Sequence, residues 1–195
     1  MDERKRAHVH VARLPVSPDQ TRFPVIFTIG HSTHTTEAFL GLLAAHRIEQ
    51  LADVRAFPRS RRHPHFKKEA LDAQLSRAGV SYRHFPELGG FRKPLPDSVN
   101  TGLRQPASRG YADYMQTEDF SRAIDALLAF AAGKQTTVMC AEAVWWQCHR
   151  RLLADALIVR DVPVRHISAS GDLKLHELSE FATRAGAGVI YPGLL

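Results

Sequence analysis

Three apolar, β-rich runs in this chain stop at residues capable of chemistry and then give way to helical spacing, and this recurrence constrains the fold most. Val25-Ile26-Phe27-Thr28-Ile29 ends at Gly30-His31-Ser32, Leu51-Ala52-Asp53-Val54 ends at Arg55, and Thr137-Val138-Met139-Cys140 ends at Ala141-Glu142. Short continuous apolar runs of this kind are strands buried on both faces. Helical patterns follow them. Thr36 is the expected cap of a helix with Phe39, Leu42, Leu43 and His46 on one face; residues 67–78 carry Leu71 and Leu75 and stop at Gly79; Thr117 is the expected cap of a helix carrying Phe120, Ile124, Leu127 and Leu128. Helical spacing resumes at Arg151-Leu152-Leu153 after Cys148-His149-Arg150. Residues 80–85 and 162–167 add two strands, the second placed at a sheet edge by Pro163, and Asp172 caps a last helix with Leu175, Leu178 and Ala182.

Strands joined by helical crossovers run parallel. The expected fold is therefore α/β: a three-layer, mainly parallel sheet of about five strands with helices on both faces, an incomplete β/α barrel being the alternative. A chain of 195 residues with 44% hydrophobic composition suits one core. Residues 1–22 lack periodicity and read as a flexible basic arm, with a single domain over 23–195. The Pro- and Gly-rich stretch 86–109 reads as a lid, a binding loop or an insert.

No long uncharged apolar run is present, so no membrane span is expected. Two cysteines make no disulfide framework, and a reducing cytoplasm is the expected compartment. The formal net charge of +6 favours anionic partners. It is concentrated in Arg55, Arg59, Arg61, Arg62, Lys67 and Lys68, a run with no acidic residue. That run can steer an anionic small molecule, or bind nucleic acid with Trp145, Trp146, Phe57 and Phe66 as stacking platforms.

If the strands are parallel, their polar ends share one sheet edge, where α/β proteins bind ligands. Glu142, just past a buried strand, is the leading acid/base candidate there, with Asp53 or His149 assisting. Cys148, near a helix N-terminus and Arg150, is the candidate nucleophile, although neither thiol has the spacing to arginine of a cysteine-dependent phosphatase loop. Arg55, Ser60, Arg92 and Arg150 are expected to hold the anion, with His31, Ser32 and Cys140 lining the site. Cys140, Cys148 and His149 lack the spacings of zinc modules, so no metal is expected, and no dinucleotide or Walker fingerprint implies a cofactor.

Thr28-Ile29-Gly30-His31-Ser32, Asp53-Val54-Arg55 with Pro58 and Ser60, Leu88-Gly89-Gly90 with Arg92, Gly110-Tyr111-Ala112-Asp113-Tyr114-Met115, and Met139-Cys140-Ala141-Glu142 with Cys148-His149-Arg150 occur in an order that resembles the family known as domain of unknown function 488. The resemblance spans residues 27–167 and implies the α/β fold more than a reaction. The N-terminal arm and the Trp145-Trp146 pair depart from the family pattern, the latter at the mouth of the expected pocket. The expected function is that of a hydrolase or group transferase acting on an anionic, nucleotide-like substrate. The alternative is a noncatalytic module that binds nucleic acid or senses nucleotides.

Overall fold

Successive residues of a buried strand face opposite layers, and this divides the core in two. The structure is a computed structural model that describes residues 24–193. Strands β1 (Ile26–Gly30), β2 (Gln50–Asp53), β3 (Ser81–His84), β4 (Thr136–Cys140), β5 (Val164–Ile167) and β6 (Leu173–Leu175) form one sheet in the order β3-β2-β4-β1-β5-β6. All pairings are parallel except that of β6 with β5. Phe27, Ile29, Leu51 and Met139 pack on Phe39 and Leu43 of helix α1 (Thr36–Ala45) and on Leu71 and Leu75 of α2 (Lys68–Arg77). Their neighbours Ile26, Ala52 and Val138 face the other way. They meet Tyr111 of α3 (Pro106–Tyr114), Phe120, Ile124 and Leu127 of α4 (Glu118–Ala131), and Leu152, Leu153 and Leu157 of α5 (Arg150–Ile158). Burying each of these large side chains contributes about 1.5–3 kcal/mol. The result is a three-layer open sheet, not a barrel.

The chain leaves β1 through α1 to β2 and continues outward to β3, then returns to β4 in the middle and moves the opposite way through α5 to β5. Neighbours β2 and β4 therefore send their connections in opposite directions and over opposite faces. A crevice opens at the C-terminal ends of such a pair.

Three expectations are corrected. Pro163 does not make β5 an edge: it precedes the strand, its carbonyl accepts from Ile26 N at 2.9 Å, and β5 lies between β1 and β6. The stretch 86–109 is not all loop, since Pro106 starts α3 and fits a helix N1 position because it has no N–H to satisfy. Its irregular part is anchored: Leu95 N, Ser98 Oγ and Asn100 Nδ2 donate to the Asp113 carboxylate at 2.8, 2.6 and 2.8 Å.

The last helix is absent. Gly171 turns with φ +91, β6 covers the β5 edge, and strands β7 (Thr183–Ala185) and β8 (Gly188–Ile190) form a hairpin. Asp155 of α5 recruits this segment by accepting from His176 Nε2 and Ser179 N, which a helix over these residues would hold elsewhere. The expected arm at 1–22 lies outside the described residues. Among the described residues no helix is long and apolar enough to cross a membrane.

Candidate functional site

Gly30 shapes the crevice. The turn after β4 crosses the end of β1 so closely that a Cβ on Gly30 would overlap the Glu142 carbonyl and come 2.9 Å from Arg150 Nη2. Only a residue without a side chain fits. Gly89 permits a second close approach, because a Cβ there would lie 2.9 Å from Ala56 Cα. This brings the Gly89-Gly90-Phe91 turn against the exit of β2, and Phe91 stands there at φ +63, projecting into solvent.

Two adjoining hollows result. One of about 540 Å³ is lined by residues that include Arg55, Phe57, Phe91, Glu142, Cys148 and His149. The other, about 530 Å³, includes His31, Ser32, Arg59, Ser60, Arg62 and His63. Arg55, Phe57, Ala141, Glu142 and Gln147 line both, so the two form one cleft with a thiol half and a basic half.

At the thiol end, Cys140 Sγ and Cys148 Sγ lie 2.8 Å apart, and His149 Nδ1 is 3.5 Å from Cys148 Sγ. The Cys140 thiol is buried and donates to Cys148, which favours the thiolate of Cys148; His149 and Arg150 add to this against the cost of burial. Being the proton donor, and buried, pushes Cys140 up. One atom from each of Cys140, Cys148 and His149 falls within 4.8 Å of the other two, a donor set of the kind that holds a soft metal. His149 Nε2 is buried without a hydrogen-bond partner among the described residues.

The charged residues expected to grip substrate are largely committed to the protein itself. Asp53 is fully buried and accepts from Arg55 N, Nε and Nη2 at 3.1, 2.8 and 2.6 Å and from Tyr82 OH at 2.8 Å. Arg55 Nη1 donates to Phe66 O at 2.8 Å and faces His31 Nε2 at 3.3 Å. Arg150, only 1% exposed, donates to the Glu142 and Ala143 carbonyls and so holds the turn after β4. Arg92 lies on the Tyr114 ring at 3.7 Å, bonds Glu87 O, and lines neither hollow. Ser60 Oγ accepts from His63 N at 2.9 Å and stays at the basic hollow. Glu142, although it follows a buried strand directly, is exposed at the mouth. Arg59, Arg61, Arg62, Lys67 and Lys68 are exposed, and none forms an ion pair among the described residues. Trp145 is packed, stacked on His166 at 3.9 Å and 6°, whereas Trp146 is exposed.

Sequence reasoning missed Gln105, Ser108 and Gln147 of the cleft, which carry no motif signal. It also missed a buried chain beneath it. Thr28 Oγ1 donates to His166 Nδ1 at 2.7 Å, His166 Nε2 to His176 Nδ1 at 2.9 Å, and His176 Nε2 to Asp155 at 2.9 Å. The detectable signal was Asp155 on the inward face of α5, between Ala154 and Ala156.

Burial first, then neighbouring Arg55, lowers His31 to about 4; burial first, then His176, lowers His166 to about 3. Both stay neutral when folded while the unfolded chain takes up protons below about 6.5, so stability is full above that pH, is lost progressively as pH falls from there toward the folded values, and levels off below them. Each should remove on the order of 2 kcal/mol by pH 5. Urea midpoints measured from pH 7 to 5 should fall steeply in wild type and more gently in His31→Gln.

An open, doubly wound α/β sheet with a thiol pair and a basic hollow at its switch point defines the class of protein. The chain belongs to the family described as domain of unknown function DUF488, whose profile matches residues 35–157. The match takes in Asp53-Val54-Arg55 and the Cys140-to-Arg150 segment, and starts after Gly30-His31-Ser32. No curated protein and no solved structure matches the chain.

Proposed function

We propose that this protein is an enzyme, a hydrolase or group transferase, that binds an anionic, nucleotide-like substrate in the cleft and attacks it with the Cys148 thiolate. The observation that carries this reading is the placement of Cys148 Sγ against Cys140 and His149 in a hollow that continues into the basic one. A thiolate with a donor and an imidazole at hand meets the requirements of covalent catalysis. Ser60 keeps its expected anion-binding role, and Arg59, Arg62 and His63, which line the basic hollow with it, take the role first assigned to Arg55, Arg92 and Arg150. Arg55 and Arg150 act as positioning residues. Glu142, at the junction of the two hollows, moves a proton to the leaving group, and Gln147 beside it orients water. Phe57 and Phe91, exposed at the rim with ring centroids 6.1 Å apart, offer apolar faces to a planar ring. A cytoplasmic location suits a reaction that needs a reduced thiol.

The test is turnover of a panel of phosphate esters, nucleotides and acyl esters. Cys148→Ser should lower kcat by roughly 10³-fold or more while the substrate still binds. Arg59→Ala with Arg62→Ala should mainly raise KM. Full turnover in Cys148→Ser, with loss in Glu142→Gln, would move the chemistry to the carboxylate.

A further inference from the structure

Group transfer by Cys148 needs one thiol, yet the structure holds two in contact. Cys140 ends β4, and Cys148 lies just ahead of α5, so the turn between them folds the chain back until their sulfurs are 2.8 Å apart. Both are free thiols. Their exposure is unequal. Cys140 is 4% exposed and reaches only the large hollow, whereas Cys148 is less buried and lines both that hollow and a smaller one of about 180 Å³. A more open thiol in contact with a more deeply buried one is the arrangement of an attacking and a resolving cysteine.

We propose that Cys148 and Cys140 form a dithiol couple that reduces hydroperoxides, Cys148 being the sulfur attacked by the oxidant and Cys140 the one that resolves it. The Cys148 thiolate attacks the terminal oxygen of ROOH, the O–O bond breaks, and RO⁻ leaves and takes a proton to become ROH. Cys148 is then a sulfenic acid. Cys140, losing its proton, attacks that sulfur; the S–O bond breaks, hydroxide leaves and is protonated to water, and the disulfide forms. Two electrons from the two thiols have reduced one peroxide bond. A small-molecule or protein dithiol returns the pair to the reduced form by thiol–disulfide exchange. The oxidised state also removes the nucleophile of the proposed group transfer, so an oxidant would silence that reaction.

The experiment uses full-length reduced protein treated with one equivalent of hydrogen peroxide and read by intact mass and peptide mapping under non-reducing conditions. Wild type should lose about 2 Da and show a Cys140–Cys148 linkage, without a dimedone adduct. Cys140→Ser should instead hold a sulfenic acid at Cys148 that dimedone traps. Two intact thiols after peroxide, or a dimedone adduct in wild type, would overturn the proposal, and the wild-type result stands whether or not the variant folds. So would a zinc ion retained by Cys140, Cys148 and His149 in native mass spectrometry and released on denaturation. Disulfide formation with full turnover in Cys148→Ser would sink only the group-transfer reading. No disulfide with turnover lost in that variant would sink only this one.

Discussion

Asp155→Ala should lower the free energy of unfolding by about 3–5 kcal/mol, because it leaves a set of buried donors without an acceptor. Asp155 is fully buried on α5. Its carboxylate accepts from His176 Nε2 at 2.9 Å, Ser179 N at 2.9 Å, Ser179 Oγ at 2.7 Å and Tyr191 OH at 2.8 Å. These bonds tie the segment that carries β6, β7 and β8 to the helix behind the cleft. The loss should therefore spread beyond one contact, to the cover over the β5 edge and to the histidine chain that ends at Thr28. Asp155→Asn keeps an acceptor oxygen and should cost less. Urea unfolding of the two variants checks this, and a loss below about 1 kcal/mol for Asp155→Ala would mean that the network is dispensable.

Gly30→Ala should be comparably damaging for a different reason. The added methyl meets main chain and a buried guanidinium, neither of which can yield as a flexible side-chain tip does. Overpacking of this kind costs about 1–3 kcal/mol and occasionally more, and here the displaced part is the turn that places Cys148. The expected outcome is a large drop in melting temperature, with reactivity of Cys148 falling further than the fraction unfolded accounts for. Gly41→Ala is the control, since a Cβ at that position on α1 would meet nothing within 4 Å among the described residues. That change should stabilise by about 0.5–1 kcal/mol by removing a helix glycine. Two glycines of one short stretch should thus respond with opposite signs.

The parts of the fold that were legible are those that depend on local pattern. Continuous apolar runs marked β1 and β4 to within a residue or two, and Thr117 caps α4 as expected, its Oγ1 accepting from Phe120 N at 3.2 Å. The first helix is capped by Thr35, one residue before the expected Thr36, since two adjacent threonines offer the same chemistry. Parallel crossovers also implied that His31, Arg55 and Cys140 would share an edge, and they do. What could not be read was how those charges pair. Arg55 turns back on Asp53 two residues away, and Arg150 caps carbonyls of a turn, arrangements set by tertiary geometry and invisible to spacing. The missing last helix failed for a related reason. Leu175, Leu178 and Ala182 have helical spacing, but the segment's polar residues answer to a buried carboxylate 21 and 24 positions away. Spacing could not show that Cys148 meets Cys140, because that contact is made across the turn and not beside it in sequence.

The proposed chemistry requires Cys148 to be an activated thiolate in the cleft. Its rate of alkylation by iodoacetamide, followed by peptide mass as a function of pH, measures this most directly. The rate should stay near its plateau well below about 8.5, the usual value for a free thiol, with Cys140 unreactive. Cys140→Ala, which removes the largest cause of the shift, should move the profile toward higher pH. A rate that rises about tenfold per pH step up to the range of a free cysteine, unchanged by Cys140→Ala, would contradict an activated Cys148.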